Sequence, residues 1–205
     1  KNISFEVKAG MKVGIVGLSG SGKSTLTKLL QRIYTQENGR ILIDGIDISQ
    51  VEVAWLRRQI GVVLQENFLF NGSISENLTI SRAGIEEEEM LNVARISGVE
   101  NFIDQMPEKY DTSVGERGSN LSGGQRQRIA IGRALINDPR IVIFDEATSA
   151  LDYETERIVM QNIDKISEGR TMFIIAHRLS TVRNCNLIIV LEKGQIVEIG
   201  SHTEL

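Results

Sequence analysis

A glycine-rich loop near the amino terminus constrains the fold of this chain more than any other feature. The loop follows Lys12 to Val16, a short and mostly apolar run that predicts a buried strand. After the loop, the stretch from Lys23 to Tyr34 carries apolar residues at helical spacing, namely Leu26, Leu29, Leu30 and Ile33. A strand, a tight glycine turn and a helix start are the context in which such a loop binds phosphate.

The residues of this loop suit the phosphates of a nucleoside triphosphate. Glycines let backbone N–H groups point inward around an anion, and the helix start adds the positive end of its dipole. We expect the Lys23 ammonium to reach the β- and γ-phosphates and the Ser24 hydroxyl to bind Mg²⁺. The alternative is a turn that only links a strand to a helix. The predicted phosphate-binding residues are Gly17, Leu18, Ser19, Gly20, Ser21, Gly22, Lys23, Ser24 and Thr25.

Composition excludes several classes of protein. The 205 residues, 41% of them apolar, fit one large domain or a domain with a subdomain. A net charge of −4 gives no basic footprint, so we expect no nucleic-acid partner. The single cysteine, Cys185, excludes an internal disulfide, and its neighbours Asn184 and Asn186 supply no activating base. No apolar run approaches the roughly 18 residues that a membrane-spanning helix needs.

Strands are predicted at both ends of the chain and helices in the middle. Between Glu66 and about Pro139 only helical signals remain, including a stripe at Val99, Phe102, Ile103 and Met106 and the stretch Gln125 to Ile136. The run Glu86 to Glu89 predicts an exposed first helical turn. Besides the strand before the loop, the predicted strands are Asn2 to Val7, Gly39 to Gly45, Gly61 to Leu64, Ile141 to Phe144, Thr171 to Ala176, and a hairpin of Leu187 to Leu191 with Gln195 to Ile199 across Lys193-Gly194. This order suggests an α/β core with an inserted helical subdomain.

Two further features point to the same chemistry. Asp145 ends an apolar strand, where a buried carboxylate is costly unless a cation such as Mg²⁺ pairs with it. Ser122, Gly123 and Gly124 open a predicted helix and form a second candidate anion site, although an ordinary N-cap serine followed by glycines would look alike.

These motifs, in this order, resemble the nucleotide-binding domain of ATP-binding cassette (ABC) transporters over essentially the whole chain. The Walker B strand of that family is similar to Ile141 to Asp145. The matching residues outside the phosphate loop are Gln65 for the Q-loop, Leu121, Ser122, Gly123, Gly124 and Gln125 for the signature, Glu146 after Walker B, Ser149 to Asp152 for the D-loop, and His177 for the switch histidine.

The resemblance implies a role for each of these residues. Glu146 is expected to act as general base or to position water, and His177 to donate a hydrogen bond to the γ-phosphate, although a lone histidine at a strand end is more often structural. Lys23 and Gln65 complete the expected catalytic set, and Ser24, Gln65 and Asp145 the expected Mg²⁺ ligands. The signature is expected to bind ATP across a head-to-tail dimer, with Asp152 near the dimer seam.

The resemblance also implies an architecture and a setting. We expect a P-loop NTPase (RecA-like) core of residues 1–65 and 140–205, an antiparallel β subdomain, and a helical subdomain of residues 66–139, all in one domain of residues 1–205. Because the family's adenine-stacking aromatic and its last helix find no match, we expect a fragment of a longer membrane transporter. Its partners would be a second copy and a transmembrane domain at the cytoplasmic face of the inner membrane, linked through Gln65 and the loop Val114 to Gly118.

Within exporters, two stretches look most like the haemolysin-B type of bacterial protein-secretion ATPase, namely Trp55 to Gln65 and Leu151 to Glu156. Export of drugs, lipids or peptides is the alternative. A non-transport cassette ATPase and an importer are further alternatives, which the acidic charge and the stretch Val114 to Gly118 respectively disfavour. The sequence does not identify the exported substrate.

Overall fold

The computed structural model describes residues 2–145, 161–176 and 179–205. Residues 161–166 are helical, and Leu179–Val182 form a further helical turn. The strands are β1 (Lys12–Val16), β2 (Leu42–Ile43), β3 (Ile46–Asp47), β4 (Ile60–Val63), β5 (Ile141–Asp145), β6 (Thr171–Ile175), β7 (Leu187–Glu192) and β8 (Gln195–Gly200). The other helices are α1 (Lys23–Leu30), α2 (Val53–Arg58), α3 (Ile74–Thr79), α4 (Glu87–Ser97), α5 (Glu100–Ile103) and α6 (Gly123–Leu135), with 3₁₀ turns at Ile48–Gln50, Lys109–Asp111 and Glu116–Gly118.

A six-stranded sheet in the order β4-β5-β6-β1-β7-β8 forms the centre of the fold. Neighbouring strands run parallel from β4 to β7, and only β8 is antiparallel to its neighbour. Parallel strands end at a common edge, so the carboxyl ends of β1, β4, β5 and β6 lie on the same side of the sheet. In the sequence, each of these ends is at, or within two residues of, a residue expected to act on the nucleotide.

Both faces of the sheet are covered, which explains why its strands are apolar without a polar face. Successive residues of β5 alternate between two clusters, with Val142 and Phe144 in one and Ile141 and Ile143 in the other. Residues of α6 and of segment 161–166 cover the first face, and residues of α1 and α2 cover the second.

A third apolar cluster lies entirely within residues 69–129. It joins the buried side chains of α3, α4 and α5 to the start of α6, which are Ile74, Leu78, Met90, Ala94, Phe102, Ile103 and Ile129. Two helix termini are capped locally: the Ser73 hydroxyl and the Glu76 carboxylate form a capping box at the start of α3, and α4 ends at Gly98 in the left-handed region, with φ 79°. The helical insertion therefore has its own core.

The structure corrects some predicted elements. Asn2 to Val7 was expected as an edge strand, and this is wrong, because no strand pairs with the segment in the described part of the chain. Its predicted alternation is nevertheless present, since Ile3, Phe5 and Val7 pack against the second face of the sheet. The helical stripe from Val99 is a single four-residue helix, α5, and the buried strand predicted to Leu64 ends at Val63.

Both predicted tight turns are confirmed. Asp44-Gly45 joins β2 to β3, and Lys193-Gly194 joins β7 to β8. All four residues have positive φ, as a two-residue hairpin turn requires. The exposed acidic turn at the start of α4 is also present, and Glu89 forms an ion pair of 2.7 Å with Arg82.

Burial of Cys185 gives stability a dependence on pH that can be measured. Burial raises the pKa of this thiol from its ordinary value of 9.0 to about 11, against a small opposing effect of the Lys12 charge. The folded state therefore favours the protonated thiol, so its contribution to the free energy of unfolding is complete below about pH 9 and is lost as pH rises through about 11. Urea unfolding between pH 8 and 10.5 should lose about 2 kcal/mol more in the wild type than in Cys185→Ala. Equal losses in the two proteins would contradict this assignment.

Candidate functional site

The loop between β1 and α1 is shaped by glycines that no other residue could replace without movement. Gly17 has φ 152°, and a Cβ there would overlap the carbonyl oxygen of Leu191 and lie 2.7 Å from the Ser21 hydroxyl. Gly22 caps α1 with φ 106°, in the left-handed region. The loop folds back on itself through a 3.0 Å bond from the Ser21 amide to the Leu18 carbonyl. The backbone therefore wraps tightly in front of the first turn of α1, where amides have no intrahelical acceptor.

Lys23 lies inside this wrap. It is only 5% exposed, and its ammonium donates to the carbonyls of Gly17 at 3.0 Å and Leu18 at 3.2 Å. No ion pair of Lys23 forms within the described part of the chain. A buried ammonium held only by carbonyl groups at a helix start favours an anion as its further partner. The residues present therefore fit a phosphate group.

Two other expected residues lie at the same edge of the sheet. Asp145 is the last residue of β5, paired in register with Ile175 of β6. Gln65 is exposed and follows two residues after Val63, which pairs with Phe144 of β5. Because β5 and β1 both flank β6, the carboxyl end of β5 and the phosphate loop open onto the same edge.

The oxygen donors at this edge fit Mg²⁺ better than a metal held by protein alone. In the described ranges, no group of three or more His, Cys, Asp or Glu side chains could hold a metal. Mg²⁺ usually takes one or two carboxylates and completes its shell with water and substrate phosphates. A single carboxylate at Asp145, a hydroxyl at Ser24 and an amide at Gln65 match that donor set.

The signature segment forms a well-capped helix start in the helical insertion. The Ser122 hydroxyl accepts from the Gln125 amide at 3.2 Å, and the Gln125 side chain accepts from the Ser122 amide at 2.8 Å. Ser122 and Gly123 are exposed, and a Cβ on Gly123 would meet only Arg126, at 3.9 Å. No hydrogen bond joins Leu121–Gln125 to Gly17–Thr25 among the residues that the structure describes. The structure thus forms both expected anion sites without linking them.

Arg126 links the signature segment to the loop of Val114 to Gly118 that precedes it. Its guanidinium donates to the carbonyls of Leu121 at 2.6 Å and Gly118 at 3.4 Å. The loop of Val114 to Gly118 is itself anchored, since Val114 is fully buried and its amide donates to Gly72 at 2.9 Å. Movement of this loop would therefore be passed to the signature through backbone carbonyls.

Sequence reasoning missed the work of the arginines on α6. The guanidinium groups of Arg126 and Arg128 donate to backbone carbonyls of the described residues. Arg128 donates to the Gly124 carbonyl and lies 4.8 Å from the Phe102 ring centroid, and burial lowers its pKa. Arg133 donates to the Phe68 carbonyl at 2.8 Å, and burial lowers its pKa too. Helical spacing alone gives no signal for the contact of Arg133 with the Phe68 carbonyl, which is distant in the sequence.

The expected residues Glu146, Ser149 to Asp152 and His177 lie outside the described residues. The described neighbours of two of them are positioned as expected. Asp145 ends β5 immediately before Glu146, and Ala176 follows β6 immediately before His177, with its amide bonded to Ile15 of β1.

A glycine loop around a buried lysine, at the carboxyl edge of a parallel sheet, defines the class of P-loop NTPase folds. The sequence profile of the family described as ABC transporter matches residues 1–149. The chain belongs to the ABC transporter family. The structure of a bacterial Atm1-family ABC exporter with ATP bound is similar over 98% of this chain and 36% of that one, with 46% identity and a TM-score of 0.91.

Curated relatives are closer in sequence. The leukotoxin translocation ATP-binding protein LktB of Mannheimia glucosida is 61% identical over 204 residues, and those of Mannheimia haemolytica and Bibersteinia trehalosi are 60% identical. Each match covers 100% of this chain but only 29% of the relative, so the chain spans less than a third of the proteins that it matches. The expected similarity to protein-secretion ATPases is confirmed.

Over the described ranges, no helix is both long enough and apolar enough to cross a membrane.

The fit of the loop to phosphate predicts different effects for two lysines of α1. Lys23→Ala should weaken binding of a nucleoside triphosphate at least about tenfold, because a buried, charged hydrogen-bond donor is lost. Lys28→Ala removes a half-buried lysine that lies 5.5 Å from the Tyr34 ring centroid, and it should leave affinity unchanged. Equilibrium binding of a fluorescent nucleotide, with thermal melting as a check on folding, measures both. Equal affinities of the two variants would contradict the site.

Proposed function

We propose that this chain is the ATP-binding and ATP-hydrolysing domain of a membrane exporter that secretes a protein or toxin from a bacterium. The observation that carries the proposal is the buried Lys23 ammonium, held by two carbonyls within the phosphate loop. The names of the relatives at 60–61% identity, leukotoxin translocation ATP-binding proteins, support ATP as the nucleotide and protein as the cargo. The exporter of similar structure is less identical, at 46%.

We also propose the division of the chain that the sequence predicts. Residues 66–139 form a helical subdomain, which is supported by an apolar cluster built from residues 69–129 alone. Residues 1–65 and 140–205 form the nucleotide-binding core. The β2–β3 hairpin corresponds to the antiparallel β subdomain.

In the proposed chemistry the chain contributes positioning and charge. The loop amides and Lys23 bind the β- and γ-phosphates, and Ser24, Asp145 and Gln65 hold Mg²⁺, which neutralises charge on the phosphates when bound. Glu146 directly follows the metal-binding carboxylate, and it positions the attacking water or accepts its proton. His177 comes directly after Ala176 in the sequence, and its proposed role is to donate a hydrogen bond to the γ-phosphate.

The second half of the ATP site comes from a second copy of the domain. Ser122 and Gly123 expose the first turn of α6, and this turn makes no hydrogen bond to the phosphate loop within the described part of the chain. A helix start of this kind binds an anion. In a head-to-tail dimer, the signature of each copy meets the triphosphate of the other, with Asp152 near the seam.

A transmembrane domain of the same transporter is the other proposed partner, which places this domain at the cytoplasmic face of the cell membrane. The segment after Gln65 supports this proposal because it exposes apolar surface. Phe68 and Phe70 are 49% and 48% exposed, and their rings meet edge to face with centroids 5.4 Å apart. Arg133 ties this segment to α6, the helix that begins at the signature. Motion at the membrane domain would thus reach the signature along α6.

The test of the proposed function uses a glutamate that the chemistry requires. Glu146→Gln should bind ATP but abolish its hydrolysis, so that ATP with Mg²⁺ holds the protein as a dimer while ADP leaves it monomeric. Sedimentation velocity measures the shift. Glu168→Gln removes one negative charge from an exposed glutamate, and it should hydrolyse ATP at the wild-type rate without a lasting dimer.

Two results would contradict the proposal. Steady ATP hydrolysis by Glu146→Gln would show that Glu146 does not have the catalytic role proposed for it. Tight ATP binding by Glu146→Gln without any dimer would exclude the shared site.

A further inference from the structure

The turn between β7 and β8 supports the phosphate loop from outside the motif. The Gly194 amide donates to the Ser21 carbonyl at 2.9 Å. A Cβ on Gly22 would lie 3.6 Å from the Gly194 Cα, and a Cβ on Gly17 would overlap the Leu191 carbonyl oxygen. The hairpin therefore contacts the loop at its first glycine, at Ser21 and at the glycine that caps α1.

The strand register explains how the hairpin reaches the loop. β7 runs parallel to β1, with Val16 paired to Val190, so that the next residues, Gly17 and Leu191, leave the ladder side by side. A shift in register between Val190 and Leu191 interrupts the pairing of β7 with β8 at the same level. Such a bulge changes the direction of a strand and the groups that it presents.

Among the described residues, backbone hydrogen bonds hold the loop at Ser21. Its side chain is only 4% exposed, yet the hydroxyl has no hydrogen-bond partner in the described part of the chain. The backbone hydrogen bonds of Ser21 to Leu18 and to Gly194 therefore hold the loop in place at this position. The first bond lies within the loop, and the second ties it to the sheet.

We propose that Gly194 is a positioning residue for nucleotide binding: its amide and the left-handed turn that directs it hold the phosphate loop in the shape that binds phosphates. This inference rests on the proposed binding of ATP. Gly194 itself does not contact the nucleotide. Disturbing the turn would loosen the loop and weaken ATP binding, while leaving the bound ATP to react at the usual rate.

The chain offers a matched control in its other hairpin. Gly45 occupies the same second position of a two-residue turn as Gly194, with φ 79° against 75°. A Cβ on Gly45 would meet nothing within 4 Å. Alanine at either glycine imposes the same left-handed strain. Only Gly194 bonds to the phosphate loop.

The experiment compares Gly194→Ala, Gly45→Ala and Gly194→Asn in steady-state ATP hydrolysis, with thermal melting to check folding. Gly194→Ala should raise the KM for ATP about threefold to tenfold, as expected for a weakened hydrogen bond, with kcat nearly unchanged. Gly45→Ala should keep the wild-type KM. Gly194→Asn should restore the KM, because asparagine tolerates positive φ and keeps the amide.

Each other outcome overturns the inference. Equal KM values for Gly194→Ala and Gly45→Ala would show that the β7–β8 turn does not position the phosphate loop. Failure of Gly194→Asn to restore the KM would show that the Gly194 amide does not have the proposed role. If the alanine variant does not fold, hydrogen exchange in the wild type decides: ATP should slow exchange at the Gly194 amide more than at Gly45, and equal slowing would refute the inference. A wild type that binds no ATP would instead refute the proposed function.

Discussion

The buried ammonium of Lys23 is the feature on which the rest of the site depends. Taking a cation out of water is unfavourable unless polar groups surround it, and the structure supplies the carbonyls of Gly17 and Leu18. Those carbonyls can face inward only because Gly17 leaves no side chain against Leu191. The loop therefore has a defined shape without a ligand, as the proposed binding of phosphate requires. Its shape comes from β1 behind it, α1 after it and the β7–β8 hairpin beside it.

The residues of the proposed ATP site come from two parts of the fold, the sheet and the helical insertion with its own core. The sheet edge carries the phosphate loop, Gln65 and Asp145, and the helical insertion carries the signature at the start of α6. α6 also packs under the sheet through Ile131 and Leu135, and Arg133 reaches back to the segment after Gln65. One helix thus connects the sheet, the signature and the exposed aromatic pair of Phe68 and Phe70. In the proposed exporter, that helix is the physical link between nucleotide and membrane domain.

The sequence predicted those parts of the fold in which local pattern and tertiary structure agree. The capped start of α6 and both hairpin turns depend on neighbouring residues, and the glycines of the phosphate loop form a local motif, so the sequence was sufficient to locate them. The amino-terminal segment has the alternation of a strand, but pairing needs a neighbouring strand, which a pattern cannot supply. The Arg126 guanidinium donates to the Gly118 carbonyl and the Gly194 amide donates to the Ser21 carbonyl, and no local pattern in the sequence predicts either contact. Sequence patterns therefore located the site but missed the bonds that hold it in shape.

The most direct test of the central claim mixes two inactive variants. Lys23→Ala disables the phosphate loop, and Gly123→Asp places a carboxylate in the exposed first turn of α6, where it favours the helix but repels phosphate. If the ATP site is built from two copies, a mixed dimer contains one site with both halves intact. ATP hydrolysis by the mixture should then exceed the sum of the two variants measured alone. Activity equal to that sum, with mixed dimers shown to form, would contradict a site shared between two copies.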